Sequence, residues 1–137
     1  MIGRSRLRFY LGDSVAILPS LERKSIGVVV TSPPYNLGIK YRSYRDDLPR
    51  TDYLNWTDGW LRAVAGCTAD RGSLFLNVGA KPTDPWIPLE VAQVARRYFK
   101  LQNTIHWVKS IAIDREATGQ AVGLDRDVAV GHYKPIN

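Results

Sequence analysis

Ile26-Gly27-Val28-Val29-Val30-Thr31-Ser32-Pro33-Pro34-Tyr35 joins a short apolar run to a turn made of a hydroxyl residue, two prolines and an aromatic. The run Ile26 to Val30 reads as a buried strand. Each proline of the turn fixes its own φ and removes an N–H donor. Ser32 and Pro33, each preceding a proline, are pushed to extended geometry. The backbone carbonyls of this exit are therefore expected to point outward without ladder partners. They form a rigid acceptor edge beside the Tyr35 ring. Such an edge suits a planar group carrying an amine: oxygens accept its hydrogens and the ring covers its face.

Working outward, Arg6 to Leu11 has strand character and stops at Gly12-Asp13. Ser14 to Glu22 reads as a helix with Val15, Leu18 and Leu21 on one side. Beyond the proline turn, 36–50 is a polar, aromatic and basic loop. A helix is expected from Asp52 to Ala69, capped by Thr51 or Asp52. Its apolar face is Tyr53, Trp56, Trp60, Val64 and Cys67, at three- and four-residue spacing. Ser73 to Val78 is the next apolar strand. Asp84 or Pro85 opens a helix with Ile87, Val91, Val94, Ala95 and Tyr98 inward, and Asn103 to Val108 is a further strand. Strands alternating with helices give an α/β fold with a mostly parallel sheet, paired through right-handed crossovers. The end of a parallel strand is where such sheets place their ligands. The pattern fades from Ser110 onward.

The chain has 137 residues, enough for one domain with a real core. Its formal net charge of +6 favours a polyanionic partner, though many basic proteins have none. One cysteine, Cys67, excludes a disulfide framework and a cysteine-based zinc site. His106 and His132 show no metal-ligand spacing, so no metal is expected. There is no apolar leader segment and no run long enough to span a bilayer, which gives the expectation of a cytoplasmic protein without membrane contact.

Thr31-Ser32-Pro33-Pro34-Tyr35-Asn36-Leu37-Gly38, preceded by Leu11-Gly12-Asp13-Ser14, resembles the permuted β-type DNA amino-methyltransferases. The resemblance continues in family order through Ser73-Leu74-Phe75-Leu76-Asn77-Val78-Gly79, Ile105 to Ser110 and Gly131 to Asn137. It implies transfer of a methyl group from S-adenosylmethionine to the exocyclic amine of a flipped base in double-stranded DNA. The implied fold is a partial Rossmann-like methyltransferase fold, incomplete at the C-terminus. Carried over from the family, Ser32 and the Pro33 carbonyl accept hydrogen bonds from the target amine. Pro34 completes the catalytic turn and Tyr35 stacks on the base. Asp13 and Ser32 become cofactor contacts. Ser32 favours N4 of cytosine over N6 of adenine, because the family's adenine enzymes more often carry Asp there. The alternative is a non-catalytic nucleic-acid-binding remnant of such an enzyme.

Several positions keep two readings. Asp13 is an N-cap for the helix at Ser14, a contact to the adenine part of the cofactor, or both. Tyr41, Arg42, Tyr44, Arg45 and Arg50 form a solvated loop or a DNA-facing one, with arginines on phosphates. Lys109 and Ser110 lie on the surface or against DNA. Asn77 and Gly79 serve turn chemistry or the pocket. Trp56, Trp60, Trp86 and Trp107 are expected in the core, as is Cys67.

The chain carries no Phe-x-Gly-x-Gly turn, and in the permuted family that motif follows the target-recognition region. Residues 1–110 are therefore expected to be the catalytic half of a methyltransferase domain, and 111–137 the start of the target-recognition or connecting region. The candidate protein partners are the missing C-terminal half or a second copy forming a homodimer. Alone, the chain is expected to bind S-adenosylmethionine poorly and to be marginally stable, with an unpaired sheet edge and uncovered apolar surface.

Overall fold

The computed structural model describes residues 6–42 and 44–106. The chain divides into two units after Lys100. The regular elements among the described residues lie in the first: α1 (Ser14–Ile17), a 3₁₀ turn (Leu18–Ser20), β1 (Ile26–Thr31), α2 (Arg50–Cys67), β2 (Thr68–Leu76) and α3 (Ile87–Ala95). β1 and β2 pair in parallel, with α2 in the connection between them. The result is a small two-stranded parallel sheet with helices, an α/β arrangement.

α1 begins where Asp13 accepts a 2.8 Å hydrogen bond from the Val15 N–H. It stops after one turn, short of the expected Glu22. Pro19 has no N–H to continue the ladder, and the chain tightens into the 3₁₀ turn instead. Lys24, at φ 54°, then reverses the chain into β1.

α2 presents Tyr53, Thr57, Trp60, Leu61, Val64 and Cys67 as its buried face. Trp60, Leu61 and Val64 meet Val94 of α3, with Val29, Leu74 and Leu76 of the sheet packed against them. Tyr53 joins Ile87 and Val91 of α3. Burying each of these large apolar side chains stabilises the fold by about 1.5–3 kcal/mol. Two polar clamps tie the helices. The Asp58 carboxylate accepts from Arg62 (2.8 Å), Arg97 (3.0 Å) and the Tyr98 hydroxyl (2.9 Å). Those donors, Tyr98 foremost, hold the Asp58 carboxyl below the usual carboxylate range. At the other end of α2, Arg50 bridges Asp84 and Glu90.

Several sequence expectations are corrected. Residues 6–11 carry no strand, and neither do 103–106; 107 and 108 lie outside the described residues. Among the described residues β1 is covered on one face only, with Val28 59 % and Val30 77 % exposed and Phe75 of β2 beside them at 52 %. The helices pack on the opposite face alone. Trp86 is exposed at the turn before α3, not in the core. β2 starts five residues before Ser73 because its first part is irregular: Ile26 pairs with Thr68 and Val28 with Ser73, two steps along β1 against five along β2. Gly72 permits that bulge, since a Cβ there would lie 2.9 Å from the Ile26 carbonyl oxygen.

Candidate active site

The site is built at the end of β1. Thr31 accepts the last rung of the sheet from the Asn77 N–H at 2.9 Å. The chain then leaves the ladder as Ser32-Pro33-Pro34-Tyr35. The expectation of free carbonyls is half met. The Pro34 carbonyl is taken by the Tyr53 hydroxyl at 3.0 Å, whereas no hydrogen bond among the described residues reaches the Pro33 carbonyl. Tyr53 is fully buried. Burial, reinforced by Tyr44, pushes its phenol up to about 12. It therefore stays a donor at any physiological pH and anchors the turn to α2.

Ser32 is exposed at the rim. Its Oγ lies 2.5 Å from the Tyr35 hydroxyl. Asn77 donates from Nδ2 to that hydroxyl at 2.9 Å and to Ser32 Oγ at 3.4 Å. The Tyr35 ring rests against Gly79, where a Cβ would fall 2.8 and 2.9 Å from ring carbons. Ser32, Pro33, Pro34, Tyr35, Leu37, Ile39 and Tyr41 line one open cleft of about 340 Å³.

The loop after Tyr35 is not a loose one. Asn36 (φ 60°) and Gly38 (φ 79°) turn its backbone inward through left-handed conformations that Asn and Gly tolerate. Their amides converge on Asp46, which is 3 % exposed. Its carboxylate accepts from the N–H groups of Asn36 (2.9 Å), Leu37 (3.0 Å) and Ile39 (3.0 Å), and its carbonyl accepts from Gly38 at 2.7 Å. Asn36 closes the ring through a reciprocal pair with the Leu48 backbone, 2.9 Å out and 2.8 Å back. A charged acceptor meeting several N–H donors makes strong bonds and needs no solvent. Beyond it, Lys40 and Arg45 form an antiparallel bridge. Tyr44 tilts against Trp56 at 5.4 Å, and Tyr41 meets Tyr44 edge-on at 6.2 Å. Burial, then Asp46 and Tyr41, push the Tyr44 phenol up.

The structure thus brings Ser32, Pro33, Pro34, Tyr35 and Tyr41 to one cleft. Arg42 and Arg45 are exposed on the adjoining loop, with Arg45 paired to Asp47 at 2.7 Å. Arg50 serves the α2–α3 clamp instead of the loop. Asp13 caps α1 through Oδ1, and no described hydrogen bond joins it to the cleft. Lys109 lies outside the described residues. Sequence reasoning missed Leu37, Ile39, Asp46 and the anchoring role of Tyr53. The available signal for Asp46 was Asn36 followed by Gly38, a pair suited to an inward turn that needs an acceptor. Among the described residues no helix is long and apolar enough to cross a membrane, and no three metal-ligating side chains gather.

Residues 26–128 match the model of a family described as DNA methylase. The chain is 36 % identical over 124 residues to the type II methyltransferase M.MjaVI of Methanocaldococcus jannaschii, covering 85 % of this chain and 62 % of that protein. It is 36 % identical over 78 residues to the type II methyltransferase M.ScaI of Streptomyces caespitosus, covering 57 % and 25 % respectively. A similar match, 31 % over 74 residues, links 54 % of it to 24 % of the type II methyltransferase M.HpaI of Haemophilus parainfluenzae. The chain therefore spans about a quarter to just under two thirds of the length of these relatives. With a proline-locked strand exit opening on a cleft, and a family match over most of its length, the chain belongs to the N6/N4 DNA methylase family.

Proposed function

We propose that this chain supplies the base-binding and catalytic turn of a site-specific DNA methyltransferase acting on an exocyclic amine, N4 of cytosine in preference to N6 of adenine. The observation that carries the reading is the pair of oxygens at the cleft rim: exposed Ser32 Oγ and the Pro33 carbonyl, unpartnered among the described residues. A base amine is a poor nucleophile because its lone pair is delocalised into the ring. Acceptors on its two hydrogens favour pyramidal nitrogen, aim the lone pair outward and stabilise the positive charge that develops on transfer. Tyr35 covers the face of the extruded base and offsets part of its unstacking cost. Tyr41, Arg42 and Arg45 face the DNA, the cations meeting phosphates, and Lys109, outside the described residues, is a further phosphate contact suggested by the sequence alone.

S-adenosylmethionine, when bound, supplies an electrophilic methyl group. Two residues fit it. Asp13, whose Oδ2 keeps no partner among the described residues while Oδ1 caps α1, and Ser32, exposed at the cleft, would hold it. The cytosine preference rests on Ser32 in place of an acidic residue.

Expression of the full gene product in a methylation-deficient host, followed by sequencing for modified bases, tests the reading. N4-methylcytosine at a defined site is the expected result. N6-methyladenine alone would overturn the cytosine preference, and unmodified DNA would overturn the enzyme reading.

A further inference from the structure

Asn77, whose N–H supplies the last rung of the sheet, and Gly79 lie just beyond β2, and both touch Tyr35. We propose that they are positioning residues for the base-binding cleft, acting through Tyr35: Asn77 locks its hydroxyl onto Ser32, and Gly79 sets how far its ring projects into the cleft. The inference rests on the reading of the cleft given above.

The donor order follows from the chemistry of the groups. An amide nitrogen only donates, so the Tyr35 oxygen accepts from Asn77. A phenol is a better hydrogen-bond donor than an alcohol, so the Tyr35 hydrogen goes to Ser32 Oγ. One of the two lone pairs on Ser32 is thereby used. The other faces Asn77 Nδ2 at 3.4 Å, a long contact that a closer donor displaces. Ser32 is left with one acceptor position and the Pro33 carbonyl provides the second, matching the two hydrogens of an exocyclic amine. Without the lock, a serine hydroxyl at the rim is free to change rotamer.

Gly79 acts on the ring itself. A Cβ at 2.8 Å from one ring carbon and 2.9 Å from the next cannot be accommodated in place, because the Tyr35 hydroxyl is held by two partners. The ring must tilt into the space a base would occupy. Displacements of this kind in a catalytic constellation cost rate far beyond their size.

Double-mutant cycles test the proposal. The full gene product would be assayed for transfer of tritiated methyl groups from S-adenosylmethionine to unmethylated phage DNA. Gly79→Ala is expected to lower kcat/KM by on the order of tenfold to a hundredfold, yet less than about twofold further in a Tyr35→Ala background. Asn77→Ala should match Tyr35→Phe, and the two together should be no worse than either alone. Independent, multiplying losses in both cycles would overturn the proposal and make Asn77 and Gly79 parts of the general fold. Circular dichroism melting accompanies each variant. Should Gly79→Ala melt early, the Asn77–Tyr35 cycle alone supports or overturns the proposal by the same criterion. A wild-type protein that transfers no methyl groups would instead remove the functional reading beneath, and this inference with it.

Discussion

Tyr53 is a core residue of α2 whose hydroxyl reaches across to the Pro34 carbonyl. Its phenol ordinarily titrates at 10.0 and is raised to about 12 here, chiefly by burial. The raised value belongs to the folded state. Between the two values the unfolded chain has released this proton and the native chain still holds it, so stability falls as pH rises through that window. Below the lower value the contribution is fully present. Tyr53→Phe should cost about 1 kcal/mol at neutral pH. It should also flatten the loss of stability between pH 10 and about 12, read as urea midpoints against pH. A wild-type curve no steeper than that of the variant would remove Tyr53 from this role. The proline turn was legible in sequence because its constraints are covalent: two pyrrolidine rings act wherever the chain goes. The partners of its oxygens were not, because Tyr53 and Asn77 arrive from 19 and 42 or more positions away through packing.

The loop and the strands show the same division at the scale of elements. α2 and α3 could be read from periodicity, since Trp60, Val64, Val91 and Val94 recur at helical spacing and all are buried. The strand read at Arg6 to Leu11 was not formed, because no neighbouring strand pairs with it among the described residues. The loop from 36 to 48 is an element in its own right, and Asp46 is its centre. Asp46→Ala would strand three backbone donors, each worth about 1–3 kcal/mol if left buried. Hydrogen exchange should then show the amides of Asn36, Leu37 and Ile39 losing protection while those of α2 keep it. Equal loss in both would mean that the loop does not open separately. Two kinds of glycine give a second contrast. A Cβ at Gly72 meets backbone oxygens at 2.9 and 3.0 Å, whereas one at Gly59, inside α2, meets nothing within 4 Å. Gly72→Ala should destabilise by about 1–3 kcal/mol, and Gly59→Ala should stabilise by about 0.5–1 kcal/mol. Thermal melts of the two variants with shifts of the same sign would contradict the bulge geometry.

Across the first hundred residues, one face of the sheet is left open. Val28, Val30 and Phe75 are each more than half exposed, and β1 and β2 have no other strand partner among the described residues. Contiguous apolar surface beside open strand edges promotes association. The net charge of +6 opposes it through self-repulsion. The balance between them depends on salt, because added ions shorten the reach of charge repulsion to about 10 Å at 0.1 M and leave apolar attraction intact. The chain should therefore bind a dye such as ANS while folded and sediment with rising mass as salt is added. Val30→Thr together with Phe75→Thr should weaken both effects. Neither position packs against the helices, so the melting temperature should change little, exposed substitutions of this kind being worth about 0.5 kcal/mol or less. If the double variant lost its fold, Val30 and Phe75 would belong to a core and the one-sided sheet would be wrong. If the unmodified chain remained monomeric and dye-silent at every salt concentration, the exposed face would have to be covered in solution by some other part of the polypeptide.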